Sequence, residues 1–283
     1  MKLEFAKMHG LGNDFMVLDL ISQDFEPNRE QIHAWADRRT GIGFDQMLTI
    51  SAPTDPDADF RYRIYNADGT EVEQCGNGAR CAARFIAERK LSPKDTLVLE
   101  TLAGPISTAL LDAETVEVDL GVPSTRAEDV PFSPEAACGA QGDAVGTFTL
   151  RAGEGEHEVT PVSVGNPHGV LFVTQITDAP VDAVGASLTR HPFFPEGANI
   201  GFCQVVDPHF IRLRVYERGV GETRACGTGA CAAVVAGQLL GHLEDRVKVS
   251  LPGGKVRIAW QGPETTVRMA GPATLVYEGH MSL

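Results

Sequence analysis

The sequence of 283 residues lacks any long apolar run. No window reaches the roughly 18 apolar residues that a transmembrane helix requires. The longest uncharged apolar-rich stretch, residues 225–241, is interrupted by Thr228, Gln238 and several glycines, and it predicts a buried helix instead. Charged residues appear at Lys2 and Glu4 with no apolar segment behind them, so we expect neither a secretory signal nor a membrane span.

Positive charge is also scarce. The chain has 24 Lys and Arg residues against 38 Asp and Glu residues, which gives a formal net charge of −14. Nucleic acids and anionic membranes recruit basic surfaces, so we expect neither of them as a partner. An acidic surface places no such limit on a small-molecule ligand, because the site for it is local.

The sequence gives little reason to expect disulfide or metal cross-links. Its length allows two domains of about 100–200 residues, which is enough to bury a core unaided. Six cysteines in a chain of this size, without a signal, favour reduced thiols in the cytoplasm. Structural zinc is disfavoured because the cysteine spacing continues into apolar helices, whereas zinc ligands usually lie on turns. We therefore expect no metal ion.

What the sequence does contain is one short motif written twice. The copies are Cys75-Gly76-Asn77-Gly78-Ala79-Arg80-Cys81 and Cys226-Gly227-Thr228-Gly229-Ala230-Cys231. Tyr65 and Tyr216 each lie ten residues before the first cysteine of their copy, and alternating strand patterns precede both tyrosines. The repeat predicts a duplicated domain in which each half runs strand, loop, Cys-Gly-x-Gly, helix.

The remaining patterns predict an α+β (mixed α/β) fold of two pseudo-symmetric domains. Many short strands and one apolar helix in each half suggest a curved, mostly antiparallel sheet wrapped around a central helix. We expect an N-terminal domain of residues 1–124 plus 271–283 and a C-terminal domain of residues 125–270, with the active site in the cleft between them. A first-half helix should begin after Asn28 and run to about Arg38.

The duplicated motif suits proton transfer. A thiol at a helix N-terminus ionises more easily, and bare glycine N–H groups can approach an anion closely. Two such helix starts facing each other would hold a carboxylate and place a thiol on either face of the adjacent carbon. One thiolate would remove the α-proton and the opposite thiol would return one, which inverts the configuration without any cofactor.

Longer stretches around these residues extend the pattern to nearly the whole chain. They include Met8-His9-Gly10-Leu11-Gly12-Asn13-Asp14-Phe15, Gly41-Ile42-Gly43-Phe44-Asp45-Gln46, Asn66-Ala67-Asp68-Gly69 through Cys81, Gly165-Asn166-Pro167-His168, and Glu217-Arg218-Gly219-Val220-Gly221-Glu222-Thr223 through Cys231. Together they resemble the motifs of the diaminopimelate epimerase family, the isomerases of lysine synthesis.

The resemblance implies an activity and a set of residues. It implies a cofactor-independent homodimer that interconverts LL- and meso-diaminopimelate for lysine and peptidoglycan precursors. Cys75 and Cys226 would be the catalytic bases, supported by His168 and Glu217. The implied substrate contacts are Asn13, Gln46, Asn66, Gly76, Asn77, Asn166, Asn199, Glu217, Arg218, Gly227 and Thr228. Arg218 would pair with the distal carboxylate through two parallel hydrogen bonds.

Two alternatives stay open at this point. A proline racemase or hydroxyproline epimerase would share the fold and the two thiols, although Arg218 and the asparagines favour a substrate with a second charged end. A non-catalytic module that binds metal or reacts in redox chemistry through its cysteines is the second alternative.

Overall fold

A computed structural model describes residues 2–73, 75–138, 146–153 and 155–282. The chain divides into two compact units: unit 1 comprises Met1–Asp119 and Ala270–Leu283, and unit 2 comprises Leu120–Met269. Residues 120–124, which we expected to end the first domain, hydrogen-bond within unit 2. The Leu120 N–H donates to the carbonyl of Val267 at 3.0 Å, and Ser124 forms a β-bridge with Ser163.

Unit 1 is built mainly from strands. They are β1 (Lys2–Gly10), β2 (Asn13–Asp19), β3 (Gln46–Ser51), β4 (Phe60–Asn66), β5 (Glu71–Val72), β6 (Thr96–Thr101), β7 (Gly104–Leu110), β8 (Thr115–Asp119) and, at the other end of the chain, β18 (Thr274–Ser282). Helix α1 (Arg29–Ala36) lies between β2 and β3, and helix α2 (Gly76–Glu88) lies between β5 and β6.

The strands of unit 1 pair in the order β18-β1-β2-β3-β4-β6-β7-β8, and the short β5 pairs with β4. These pairings are antiparallel except β2–β3 and β4–β6. A parallel pair needs a crossover connection, and the two helices supply one each. The register sets Phe15 beside Gln46 and Gln46 beside Asn66. The chain segments around these three residues therefore lie at one end of the sheet.

Helix α2 lies inside the sheet of unit 1. It packs against β1, β2, β3, β4, β7, β8 and β18, and its residues 76–86 are all buried. A side chain at Gly78 would overlap the Tyr62 hydroxyl, so the second glycine of the motif is needed for close packing. Arg80 is fully buried, and its guanidinium donates to the Pro272 carbonyl and the Asn77 amide oxygen.

Helix α1 begins where the sequence predicts and ends earlier. Asn28 caps it, and a reciprocal pair of hydrogen bonds with Gln31 completes a capping box. The helix was expected to continue to Arg38 but stops at Ala36. Asp37 ends it because its backbone is extended and its carboxylate accepts from the N–H groups of Arg39 and Thr40.

Unit 2 repeats the same elements. Its strands are β9 (Phe148–Ala152), β10 (Gly155–Ser163), β11 (Pro167–Phe172), β12 (Asn199–Asp207), β13 (Phe210–Glu217), β14 (Gly221–Thr223), β15 (Arg246–Leu251) and β16 (Gly254–Ala259); β17 (Arg268–Pro272) contains the boundary to unit 1. Helix α3 (Val181–Leu188) lies between β11 and β12, and helix α4 (Gly227–Leu239) lies between β14 and β15.

The strand order of unit 2 confirms the duplication. Its strands pair as β9-β10-β11-β12-β13-β15-β16, with β14 beside β13, and the parallel pairs are β11–β12 and β13–β15. Helix α4 packs against β10, β11, β12, β13 and β16, and residues 229–237 are buried. The predicted α+β class, with a curved and mostly antiparallel sheet around a central helix, is confirmed in each unit.

Among the described residues, no helix combines the length and the apolar composition that a membrane span needs.

Gly78→Ala should destabilise the protein, because its methyl group has no space beside the Tyr62 hydroxyl. We expect a loss of about 1–3 kcal/mol in the free energy of unfolding, as for other overpacked cores. Urea denaturation measures the loss. The control is Gly201→Ala, whose new methyl would lie 3.5 Å from Leu213, an ordinary contact. Equal stability of the two variants would contradict this packing role.

Candidate active site

Each cysteine that opens a motif occupies the N-cap of a buried helix. Cys75 precedes α2 with φ −146° and ψ 114°, and Cys226 precedes α4 with φ −108° and ψ 106°. The extended backbone delivers each thiol to the positive end of the helix dipole. That position favours the thiolate over the thiol.

In unit 1 the Cys75 thiol lies beside two amides. Its sulfur is 3.8 Å from Oδ1 of Asn13, and Nδ2 of Asn77 donates to the same oxygen at 3.3 Å. The Tyr62 hydroxyl donates to the Cys75 carbonyl at 3.2 Å, which fixes the backbone at the start of the helix. Asn13, Cys75 and Asn77 therefore form one polar cluster.

A network of ion pairs lies behind Asn13. Asp45 accepts from Nδ2 of Asn13 at 3.0 Å, and Arg38 joins Asp45 to Asp14 at distances of 2.6 to 2.9 Å. Lys7 also donates to Asp14, at 2.6 Å, and to the Gly43 carbonyl. Burial alone would raise the pKa of Asp14, but hydrogen bonds and charge from Arg38 and Lys7 hold that pKa well below its usual range.

The other predicted substrate contacts of unit 1, Gln46 and Asn66, belong to a second group of hydrogen-bonded side chains. Nε2 of Gln46 donates to Oδ1 of Asn66 at 3.1 Å, and Nδ2 of Asn66 donates to the Thr70 hydroxyl at 3.2 Å. The antiparallel register of β3 and β4 sets Gln46 directly opposite Asn66. Both side chains thus lie at the strand ends where the sheet leads into the Cys75 loop.

In unit 2 the Cys226 sulfur accepts a hydrogen bond from the backbone. The N–H of Gly229 donates to it at 3.3 Å, and the Thr228 hydroxyl lies 3.6 Å away. An N–H donor stabilises a thiolate, whereas the amide oxygen beside Cys75 can only accept a proton from a thiol. These contacts favour the thiolate form of Cys226 and the thiol form of Cys75.

His168 is a neutral, buried histidine near the start of β11. Its Nε2 lies 3.0 Å from Oδ1 of Asn166, which assigns the ring proton to Nε2. Nδ1 is buried without a hydrogen-bond partner among the described residues. Burial, and secondly the positive charge of Arg218, lower the pKa of His168 to about 3. The ring therefore offers an acceptor lone pair near neutral pH.

Asn199 connects three of the predicted site segments. The parallel register of β11 and β12 sets it beside His168, and its Nδ2 donates to the Pro167 carbonyl at 3.3 Å. Its Oδ1 accepts from the backbone N–H of Arg218 at 2.9 Å. Ile200 pairs with Tyr216, so Asn199 lies at the register position next to Glu217.

Arg218 borders a surface pocket of about 410 Å³ in unit 2. Its Nη1 donates to the carbonyl of Glu196 at 2.9 Å, which orders the guanidinium. The preceding residue, Glu217, accepts a short hydrogen bond from the Thr223 hydroxyl. Because β13 and β14 form a tight antiparallel pair, this bond fixes the carboxylate at the end of the sheet.

The predicted site residues thus fall into two groups. In unit 1 the structure brings together Cys75, Asn13 and Asn77, with Gly76 as the first residue of α2 and the Gln46–Asn66 pair on the neighbouring strands. In unit 2 the hydrogen bonds and register link His168, Asn166, Asn199 and Arg218, and Gly227 and Thr228 open α4 beside Cys226.

Sequence reasoning missed the side chains that hold these residues. Asp45 and Thr223 lie inside the motifs quoted above, directly before Gln46 and six residues after Glu217. Their position within the motifs was the available signal. Among the residues that the structure describes, no group of three or more His, Cys, Asp or Glu side chains could hold a metal ion.

Known proteins match this chain over its whole length. A sequence profile described as diaminopimelate epimerase matches residues 5–125 and 160–276. A diaminopimelate epimerase of Pseudomonas aeruginosa (strain LESB58) is 52% identical over 283 residues, which is 100% of both chains. One from Azotobacter vinelandii is 50% identical, again over 100% of both chains.

Solved structures of more distant proteins share the fold. A hydroxyproline epimerase from Agrobacterium vitis superposes with a TM-score of 0.70 at 14% identity, over 100% of this chain and 93% of that one. A phenazine biosynthesis protein from Bacillus anthracis gives a TM-score of 0.68 at 17% identity, over 100% of both chains. At these identities the likeness shows the fold alone.

His168 should make the protein less stable as the pH falls from 7 to 5. The pKa of His168 is near 3 in the folded protein and about 6.5 in the unfolded chain. Below pH 6.5 the unfolded chain therefore binds a proton that the native state does not bind. This linkage removes about 2 kcal/mol of stability at pH 5. In His168→Gln the loss between pH 7 and 5, measured by urea denaturation, should be smaller by that amount.

The control for this measurement is His209→Gln, which alters an exposed histidine of unit 2. It should retain the pH dependence of the wild-type protein. If His168→Gln also lost as much stability as the wild type between pH 7 and 5, the neutral, buried state assigned to His168 would be wrong.

Proposed function

This chain belongs to the diaminopimelate epimerase family, and from that premise we propose that it interconverts LL- and meso-diaminopimelate by moving a proton at one α-carbon. One observation carries the proposal. The two units have the same strand order, and each places a cysteine at the N-cap of its buried central helix. An epimerase needs a proton carrier for each face of the carbon, and the duplication supplies two equivalent ones.

In the proposed reaction one thiol serves each face of the substrate α-carbon. A thiolate takes the α-hydrogen as a proton, and the electron pair of the C–H bond passes into the adjacent carboxylate. N–H groups of Gly76, Asn77, Gly227 and Thr228 stabilise the extra negative charge. The second thiol then donates its proton to the opposite face and becomes a thiolate, so the carbon is inverted and the total charge is unchanged.

The surroundings of the two sulfurs support different resting states. Cys226 accepts an N–H hydrogen bond from Gly229, whereas Cys75 faces the acceptor oxygen of Asn13. We therefore infer that Cys226 begins as the thiolate and Cys75 as the thiol. Each half-reaction exchanges these states, which an acid–base pair of one residue type can do in both directions.

The polar side chains of both units suit a substrate with a second charged end. Arg218 is held by the Glu196 carbonyl and borders a pocket of about 410 Å³, and a guanidinium pairs well with a carboxylate. Asn66, Asn166 and Asn199 supply further amides for the distal ammonium and carboxylate. Proline or hydroxyproline has no distal ammonium and carboxylate for these groups to bind, which disfavours both as substrates.

The remaining parts of the proposal concern context. The family's reaction implies a role in lysine and peptidoglycan precursor synthesis. We place the protein in the cytoplasm, because the mechanism requires reduced thiols and that compartment keeps them reduced. The proposed chemistry uses no cofactor. Cell fractionation that found the protein outside the cytoplasm would contradict the proposed location.

Cys75→Ala and Cys226→Ala should each lower epimerisation of diaminopimelate by about 10²–10⁴-fold, because each removes one proton carrier. The assay follows incorporation of deuterium from heavy water at the α-carbon together with the ratio of LL to meso product. Cys203→Ala is the matched control, since burial raises the pKa of that thiol to about 12.

Either of two results would contradict the proposal. One is near-wild-type epimerisation by Cys75→Ala or Cys226→Ala. The other is a wild-type protein that turns over proline or hydroxyproline and leaves diaminopimelate unchanged. Treatment of the wild-type enzyme with a chelator should not reduce its activity.

We also propose that the chain forms a homodimer through β18. Val276 and Tyr277 on this strand are 54% and 45% exposed, although both are large hydrophobic residues. Sedimentation velocity should give a dimer for the wild type and a monomer for Tyr277→Asp. Val206→Asp, at an equally exposed position of unit 2, should stay dimeric. A wild-type monomer would contradict the proposal.

A further inference from the structure

The side-chain amide of Asn13 has two chemically different ends, and only one of them faces Cys75. Its oxygen lies 3.8 Å from the Cys75 sulfur and also accepts from Nδ2 of Asn77. An amide oxygen can accept a proton from a thiol, whereas an amide NH₂ would donate to a thiolate. The orientation of this one amide therefore affects which form of Cys75 is favoured.

Asp45 determines the orientation of the Asn13 side-chain amide. Its Oδ2 accepts from Nδ2 of Asn13 at 3.0 Å. An ionised carboxylate has no proton to donate, so it can bind only the NH₂ end of the amide. If the Asn13 amide flipped, two oxygens would face each other at hydrogen-bond distance, and the contact to Asn77 would become one between two NH₂ groups.

Asp45 is itself held from several directions. Its Oδ2 also accepts from the backbone N–H of Asp14 at 3.1 Å, and its Oδ1 accepts from Arg38 at 2.6 Å. Arg38 is in turn paired through two hydrogen bonds with Asp14, which Lys7 also contacts. Arg38, together with its partner Asp14 and with Lys7, thus holds a carboxylate whose described hydrogen bonds reach neither the Cys75 thiol nor α2.

The backbone explains why Asp45 lies there. Asp45 immediately precedes β3, which pairs in parallel with β2 and sets Gln46 beside Phe15. The N–H of Asp45 donates to the Asp14 carbonyl at 3.0 Å, which continues the ladder by one residue. Gly43, at φ +73°, turns the chain into this position against Arg38. The Asp45 carboxylate is therefore fixed at the end of the sheet where β2 and β3 begin.

We propose that Asp45 is a positioning residue that acts through Asn13: it keeps an acceptor oxygen against the Cys75 thiol. The inference deepens the proposed function and rests on it for the use of Cys75 as a proton donor. Other ionisable groups of unit 1 near Cys75 are Tyr62, Arg80 and Cys81, and none of them contacts Asp45 in the described hydrogen bonds.

The test measures the pH dependence of Cys75 alkylation by iodoacetamide, followed by peptide mass spectrometry without substrate. In Asp45→Asn the neutral amide at residue 45 can donate or accept, so Asn13 is released and can turn its NH₂ toward the sulfur. The midpoint of alkylation should fall by about one pH unit. Asp59→Asn, which alters a carboxylate bound to Lys94 and a backbone N–H, should leave it unchanged.

A double-mutant cycle separates positioning from simple loss of charge. In an Asn13→Ala background, Asp45→Asn should shift the midpoint by less than about 0.3 pH unit, because the amide through which it acts is gone. A full shift in that background would show a direct charge effect and overturn the inference. No shift in the single variant Asp45→Asn would overturn it too.

Two further readouts complete the experiment. Urea denaturation identifies folded variants, and if Asp45→Asn does not fold, Asp45→Glu replaces it in the cycle, with a shift of the same sign expected from its displaced carboxylate. In turnover, Asp45→Asn should lower kcat more than it changes KM. Because alkylation needs no substrate, a wild-type protein inactive on diaminopimelate would refute the proposed function and leave this measurement valid.

Discussion

Each unit depends on the close approach between the start of its central helix and the sheet that encloses it. Helix α2 approaches so closely that Gly78 touches the Tyr62 hydroxyl, and in α4 a side chain at Gly229 would lie 3.0 Å from Val215. Small residues let the sheet approach the helix closely, and the first residues of each helix are buried with it. A reactive thiol placed there gains the helix dipole without any added charged residue.

The two units share one strand order but carry different polar side chains at equivalent positions. Register places Phe15 beside Gln46 in unit 1 and His168 beside Asn199 in unit 2, so a phenylalanine and a buried neutral histidine occupy equivalent positions. Gln46 hydrogen-bonds Asn66, whereas Asn199 binds the backbone of Arg218 next to Glu217. Unit 1 therefore carries neutral amides at these positions, whereas unit 2 also carries the Glu217 carboxylate, the His168 imidazole and the Arg218 guanidinium.

Much of the fold could be predicted from the sequence because the repeat and the alternating strands are local patterns. The N-cap at Asn28 was predicted from capping chemistry, and helix α4 was predicted from its lack of charged residues. The network of Lys7, Asp14, Arg38 and Asp45 could not be predicted, because charged residues are exposed by default and their pairing depends on strand register. Residues 120–124 were assigned to the wrong unit because their partners, Val267 and Ser163, are distant in sequence.

Strand β1 pairs on one side with β2 and on the other with β18, from Lys2 with Ser282 to His9 with Thr274. Unit 2 is one continuous segment, so during synthesis on the ribosome it can fold completely before the last strand emerges. Unit 1 is synthesised first but completes its folding last, because one edge of β1 stays unpaired until β18 has been synthesised. Until then that edge can pair with other chains, which makes early arrest of translation a cause of aggregation as well as of lost activity.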